Sequence, residues 1–576
     1  MVYSIDKKAP LLFILILFFL KSYGQNSATY CNPIDIDYTY MIYNSDKNIS
    51  YRSGADPAVV KFRNEYYMFV TRSMGYWHSK DLTNWSFIKP EKWYFQGSNA
   101  PAAHNYKDSV LYVTGDPSGS MSILYTDNPK KGDWKATPSI LNNLQDPGLF
   151  IDDDDKAYMF WGSSNVFPIK GMELNKNERF NPSSKIIELF NLNPEKNGWE
   201  RFGENHSSTS LKGYIEGPWL TKHNNKYYMQ YAAPGTEFNV YGDGVYVSDQ
   251  PLGPYIYAPN NPISYKPGGF MNGAGHGSTV LGPGNQYWHF ASMALSVNVN
   301  WERRICAYPT FFDKDGLMYT NTSFGDYPHF SPVQSEKKGE FTGWMLLSYK
   351  KNVKASSQTE NYSINNVVDE NVKSFWVAEK NDNNQWIEID LEKISSIYAI
   401  QLNYHDYKSN LYGKVDNLYH RYTIEGSLDG KSWFTMVDQS QSFSDTPNAY
   451  NELQSPVKAR YVKYKNIHVP MPNLAISDIR IFGLGNGKLP ATPENFIVTR
   501  EQDKRNANLN WKKVNGSQGY NIKWGIAPDK LYNSWMVYDQ NSLTLKSLNV
   551  DQKYFFTIES FNENGISAPS KKTSIL

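Results

Sequence analysis

"YIEGPWLTKHNNKYYMQYAA" (214–233) sets one carboxylate, Glu216, between an isoleucine and Gly-Pro-Trp at the head of an apolar strand, which turns at a polar Asn pair and returns through aromatics. A charge entering such a strand costs free energy unless it is paired or used. The phrase recurs in "AVVKFRNEYYMFVT" (58–71), "AAHNYKDSVLYVTG" (102–115), "GLFIDDDDKAYMFWG" (148–162) and "STVLGPGNQYWHFASM" (278–293). Each copy reads as a β-hairpin, from its alternation and its Asn, Asp or Gly turn. Several copies are followed by a second phrase, "SKDLTNWSFI" (79–88), "TDNPKKGDWKA" (126–136) or "SDQPLGPYIY" (248–257), which suits an outer strand pair closing the unit. Five units of about four strands each predict a five-bladed β-propeller, with an array of β-sandwiches as the alternative.

The rest of the chain fits an all-β protein. With 576 residues it is too long for one core, and 43 Tyr, 16 Trp and 29 Phe are what strands favour. Lys and Arg (58) balance Asp and Glu (57), which argues against a polyanionic partner such as nucleic acid. Lys7 and Lys8, the apolar run "LLFILILFFL" (11–20) and the small, polar "KSYGQ" read as a secretory signal peptide over 1–24, too short and wrongly flanked for a membrane span. Cys31 lacks the small-residue context of a lipid-attachment site, so the mature protein is expected to be exported, periplasmic or secreted, and monomeric. Export permits a disulfide between Cys31 and Cys306; the alternative is two buried thiols.

In a propeller the residues just before the innermost strands converge at one mouth of the central channel. Those positions read Asp56 in "GADPAV", Ala100 in "NAPAA", Asp146 in "LQDPGLF", Glu216 in "IEGPWL" and His276 in "GAGHGSTV". One such acid is an ordinary turn opener, but three at one repeat phase point to chemistry. Two carboxyls of unlike environment are what glycoside hydrolysis requires, a neutral acid for the leaving oxygen and a carboxylate to activate water or attack carbon. Glu216 has the more apolar neighbours and should be the acid; Asp56, beside Gly54 and Arg52, should stay ionised; Asp146 is the third charge.

These motifs, with "GVYVSDQPLGPY" (244–255), resemble glycoside hydrolase family 43, the five-bladed propeller glycosidases, over about residues 30–340. The resemblance implies an inverting mechanism with Asp56 as general base, Glu216 as general acid and Asp146 as pKa modulator. It implies that His276 lies in the channel beside a calcium ion or a water, and that Arg303 contacts sugar. Ala103 departs from the polar residue many relatives carry, which bears on substrate preference. The family acts on α-L-arabinofuranosides, β-D-xylosides and galactose-based linkages. Trp77, Trp161, Phe238 and Tyr241 are the candidates for stacking on sugar.

With the propeller over 25–345, two β-sandwiches follow. Residues 346–486, with "VVDENVKSFW", "RYTIEGSLDGKSWFTMV" and "AISDIRIFG", resemble the discoidin, or coagulation factor 5/8 type C, domain that many bacterial glycosidases use to bind carbohydrate. That resemblance implies a structural calcium near Asp369, Asn371, Ser374 and Asp478, and makes Tyr404, His405 and Tyr412 sugar-binding candidates. Residues 487–576 resemble a fibronectin type III domain, with Trp511 in the core and Tyr554 at the tyrosine corner, and read as a spacer. Together these features predict an exported exo-glycosidase needing no cofactor for its chemistry and acting on terminal α-L-arabinofuranose of an oligo- or polysaccharide. β-D-Galactofuranosidase, β-D-xylosidase, β-galactosidase and endo-arabinanase actions are alternatives. A retaining mechanism and a catalytically silent glycan-binding propeller are the rivals.

Overall fold

The computed structural model describes residues 28–44, 49–93, 98–117, 119–138, 141–142, 144–334 and 337–576. The expected signal peptide lies outside the described residues. Among those described, no helix is long and apolar enough to cross a membrane.

The five repeats are five antiparallel blades. Blade 1 runs Ala58–Phe62, Glu65–Phe69, Tyr76–Ser79, Trp85–Ile88, and blade 2 has Asn99–Tyr106, Val110–Asp116, Leu124–Thr126 and Lys135–Ala136. The inner three strands of blade 3 are Gly148–Ile151, Ala157–Trp161 and Ile169–Asn175. Blade 4 holds Ile215–His223, Lys226–Ala233, Gly242–Ser248 and Ile256–Tyr257; blade 5 holds Asn272–Leu281, Tyr287–Ala294, Arg303–Phe312 and Met318–Thr320. The hairpin turns explain the recurring polar pairs: Arg63 and Asn64 (φ 49° and 62°) and Asn224 and Asn225 (φ 48° and 59°) all take the left-handed conformation of a two-residue hairpin.

The ring closes without a shared sheet between blades 5 and 1. Val59, Met68 and Trp77 of blade 1 pack with Val280, Trp288 and Phe290 of blade 5. The Ser278 hydroxyl bridges them, donating to Pro57 O at 2.6 Å and accepting from Val59 N at 2.9 Å. Ahead of blade 1 a hairpin, Thr39–Asn44 with Ile49–Ser53, stands beside the channel mouth.

The trailing domains are packed against the propeller. In the first, the long strands Trp386–Tyr404 and Tyr450–His468 pair, and Met345–Leu346 adds to Ala475–Leu484. The last domain is a two-sheet sandwich with Trp511 in its core, and the Tyr554 hydroxyl accepts from Asn549 N at 3.0 Å. That core also takes in Val240 and Tyr265 of the propeller, so this domain is a bolted neighbour where a spacer was expected. Cys31 and Cys306 are free, buried thiols directed at the carbonyls of Asp326 and Ala291, and burial pushes both up to about 12. The disulfide does not form.

Candidate active site

Where each inner strand begins, one residue is turned into the left-handed region: Asp56 (φ 54°), Ala100 (43°), Asp146 (48°), Gly217 (63°) and His276 (49°). The repeat phase in blade 4 therefore falls on Gly217, and Glu216 sits one residue ahead of it. The reason is steric. A Cβ on Gly217 would lie 2.6 Å from the His276 ring, so His276 fills the space a side chain at that phase would need. The ladder between Ile215–His223 and Lys226–Ala233 shifts register between Glu216 and Trp219, and this bulge re-aims the longer glutamate into the channel mouth.

Asp56, Asp146, Glu216, His276 and Arg303 line one cavity of about 720 Å³. Asp56 is buried, and its oxygens are both engaged: Arg303 Nη1 donates to Oδ1 at 3.0 Å and the Thr71 hydroxyl to Oδ2 at 2.6 Å. Its backbone N–H donates to the Ser292 hydroxyl at 2.9 Å. Burial alone would raise this carboxyl, but the Arg303 guanidinium, the His276 imidazole and the Thr71 and Ser292 hydroxyls outweigh it and hold its pKa below the usual range. Arg52, expected to keep Asp56 ionised, faces away and pairs with Asp406 and Asp445; Arg303 has that role.

Glu216 is the counterpart. Burial raises its pKa and the Asp56 charge adds to the rise, while His276, Tyr241 and Arg303 only partly offset them. Asp146 is pushed well above its ordinary value, by burial first and then by Glu216 and Asp56. The two acids and His276 each offer an atom within 4.8 Å of the others', and the pKa values of both acids are raised where that of Asp56 is lowered. His276 Nδ1 is 3.4 Å from Asp56 Oδ1 and 3.9 Å from Asp146 Oδ2. Burial opposes its protonation, but the carboxyls of Asp56, Asp146, Glu216 and Asp243 raise its pKa. Asp243 also pins the strand, accepting the His276 and Gly277 N–H groups at 2.7 and 2.9 Å.

Asp146, Glu216 and His276 are the residues that could hold a channel cation: each offers one ligand atom within 4.8 Å of the others', two of them carboxylate oxygens of the hard type that calcium takes.

Of the four aromatic candidates, none stacks at the cavity wall. Trp77 and Trp161 are core residues, and Trp77 Nε1 donates to Asp37 at 2.6 Å. Phe238 packs edge-on to Phe202 and against the core of the last domain. Tyr241 is buried and its hydroxyl donates to Glu216 Oε1 at 2.5 Å, so it holds the acid. The aromatic lining comes from Tyr51, Phe202, Tyr214 and Trp301, the last 54% exposed. Tyr51 sits on the leading hairpin, Phe202 and Trp301 on loops outside the repeated phrase, and Tyr214 directly ahead of the strand Ile215–His223, and nothing in the sequence pattern marks them as cavity residues. Ala103 is buried between blades 1 and 2, and blade 2 reaches the cavity through Asn99 and Asp116 instead.

In the next domain, Tyr404 and His405 are buried, the imidazole stacked on Phe375 at 3.8 Å, and neither can meet a sugar; Tyr412 is 66% exposed. Asp369, Asn371 and Ser374 do share one loop, with Asp369 accepting from Asn371 N at 3.0 Å and the Ser374 hydroxyl at 2.6 Å. Asp478 feels the charges of Glu370 and Asp369, and its buried Oδ2 has no hydrogen-bond partner among the described residues.

Three family models match the chain in order: glycosyl hydrolases family 43 over residues 46–318, the F5/8 type C domain over 352–475 and the fibronectin type III domain over 491–575. Among characterised proteins, a xylan 1,3-β-xylosidase of a Vibrio species is 29% identical over 262 residues, 39% of this chain and 45% of that protein. A β-D-galactofuranosidase of Aspergillus niger is 22% identical over 33% of this chain and 52% of its own length. A xylosidase/arabinosidase of Humicola insolens is 25% identical over 35% of this chain and 66% of its own. The matches thus span between 45% and 66% of the length of these relatives.

Proposed function

We propose that this chain, whose residues 46–318 belong to glycosyl hydrolase family 43 and precede an F5/8 type C and a fibronectin type III domain, is an exported inverting glycosidase that removes terminal pentose or furanose units. The observation that carries this reading is the opposed environment of two carboxyls on one cavity, Asp56 with its pKa held down by Arg303 and Glu216 with its pKa raised by burial.

Each residue then has a task. Tyr241 donates to Oε1 of Glu216, which leaves the acidic proton on Oε2 for the glycosidic oxygen. Asp56 keeps a free lone pair on Oδ2 beyond the Thr71 bond, and with it takes a proton from the attacking water. As the bond to the leaving oxygen breaks, positive charge grows on the sugar, and the Asp56 carboxylate stabilises it. The Glu216 charge raises the Asp146 pKa, and the His276 imidazole, whose own pKa the surrounding carboxyls raise, offsets part of that rise. The result is a free sugar of inverted anomeric configuration and a shortened chain.

The names of the relatives bracket the glycone among xylose, arabinose and galactofuranose. We take α-L-arabinofuranose first, and exo action because the three acids face a single cavity in the channel mouth. In the F5/8 type C domain, the unpartnered Asp478 Oδ2 beside Asp369 suits a hard cation such as calcium held by carboxylate oxygens, a bracing role that a chelator would expose as a lowered melting temperature.

The test is hydrolysis of a panel of 4-nitrophenyl glycosides (α-L-arabinofuranoside, β-D-xyloside, β-D-galactofuranoside and β-D-galactopyranoside), with the first-formed anomer followed by proton NMR. Release of one sugar with inversion supports the proposal; retention of configuration would refute the mechanism, and inactivity on these glycosides and on arabinan would refute the activity.

A further inference from the structure

The strand that leads to Asp56 and the strand that carries Arg303 are locked by a residue of another domain. Asp406, in the F5/8 type C domain, is buried and receives Arg52 twice: Nη1 donates to Oδ1 at 2.7 Å and the backbone N–H to Oδ2 at 2.9 Å. Arg304, next to Arg303, reaches the same carboxylate at 3.5 Å and donates through Nη1 to Arg52 O at 2.5 Å. Between them the strands are stitched: Gly54 N donates to Arg303 O at 3.0 Å, and Arg303 N to the Ser53 hydroxyl at 3.2 Å. Asp445 of the same domain takes Arg52 Nη2 at 2.6 Å, and single bridges join Tyr40 to Gly413 and Ser50 to Ser409. Met41 and Tyr51 of this clamped hairpin line the cavity.

We propose that Asp406 is a positioning residue of the propeller's active site, fixing the Asp56 strand against the Arg303 strand from outside the propeller. The F5/8 type C domain is thereby part of the catalytic apparatus, and the inference rests on the reading of Asp56 as the base. A single carboxylate holds the arginine four residues before Asp56 and the one directly after Arg303, so the 3.0 Å Asp56–Arg303 bond inherits its geometry from Asp406. Tyr40, Glu302, His405 and His420 also lie within electrostatic reach of this carboxylate. Around Asp56 itself the charged and titratable groups are Arg303, His276, Asp146, Glu216 and Tyr241. Replacing Asp406 leaves all five in the chain and alters only how the two strands are held.

The experiment uses the full-length chain as Asp406→Asn, Asp406→Glu, Asp445→Asn and, as a core-destabilised control in the same domain, Ile389→Val. Amide hydrogen exchange at Gly54 and Asp56 reads the strand pairing without any substrate, and the acid limb of the kcat/KM profile reads Asp56. We expect faster exchange at both amides in Asp406→Asn, a limb moved up by about one pH unit and a kcat/KM near the limb down about tenfold, with Asp406→Glu recovering part of each and the control moving neither. Asp445→Asn, which leaves the Asp406 contacts in place, should give smaller changes of the same sign and serves if Asp406→Asn does not fold. Wild-type exchange at Gly54 and Asp56 in a folded Asp406→Asn, or in Asp445→Asn if that alone folds, would overturn the inference. A wild-type protein that cleaves no glycoside would instead refute the hydrolase reading, and the exchange result would still decide this one.

Discussion

Replacing Arg303 by methionine keeps the bulk of the side chain and removes the charge that faces Asp56. In the wild type the guanidinium is the first of the groups that oppose the effect of burial on this carboxyl, through a 3.0 Å bond to Oδ1. A hydrogen bond to a charged group is worth about 1.5–3 kcal/mol, and one pKa unit is about 1.4 kcal/mol, so the Asp56 pKa should rise by about one to two units. The base must be ionised, so activity is lost as pH falls through the Asp56 pKa, and the acid limb of kcat/KM should move up by that amount. The same shift acts on stability: a carboxyl whose folded pKa is depressed contributes stability above its unfolded value that is lost as pH falls through the folded value. Arg303→Met should therefore lower unfolding stability at neutral pH by about 1.5–3 kcal/mol and flatten its dependence on acid pH. Initial rates on a neutral nitrophenyl glycoside across the acid range, with urea denaturation at the same pH values, measure both. An acid limb that stays in place in a folded Arg303→Met protein would refute the assignment of Arg303 as the group that keeps the base ionised.

Two further substitutions probe the acid and the channel. In Tyr241→Phe the ionised form of Glu216 loses its 2.5 Å donor, so the Glu216 pKa rises, the alkaline limb of kcat/KM moves up in pH, and the optimum rate falls by about tenfold, as for one lost hydrogen bond of about 1.4 kcal/mol; a limb that moved down would contradict this. In Gly217→Ala the new Cβ meets the His276 ring at 2.6 Å in a left-handed backbone. That strain costs about 1–3 kcal/mol, and the displaced imidazole should lower kcat more than it raises KM, which steady-state kinetics and thermal unfolding would measure together.

The repeat, the three domains and the three acids were legible in the sequence because each has a local cause. Hairpins announce themselves by alternation and by Asn-rich turns, and an acid before proline or glycine at the head of an inner strand is the same device used again and again. What was illegible depends on which face of a strand meets which neighbour. Trp77 and Trp161 look no different in sequence from a sugar platform, but the pleat turns them into the cores between blades. Glu216 falls one residue off the repeat phase because His276, some sixty residues later, occupies the axis beside Gly217. Arg52 lies four residues from Asp56 in sequence, and only the folded position of Asp406 and Asp445 takes it away and leaves Arg303 as the partner. Tyr241 reads as any buried tyrosine until its hydroxyl is found on the acid.

The assignment of Glu216 as the proton donor is tested most directly by Glu216→Gln, assayed on two glycosides of one sugar, with a good leaving group (2,4-dinitrophenol) and a poor one (an alcohol). A leaving group that departs without a proton has no need of the acid. The variant should keep near wild-type rates on the dinitrophenyl glycoside and lose about 10²–10⁴-fold on the alkyl one. Equal losses on both substrates, or no loss on the alkyl glycoside, would contradict the role given to Glu216 and with it the division of labour between the two carboxyls.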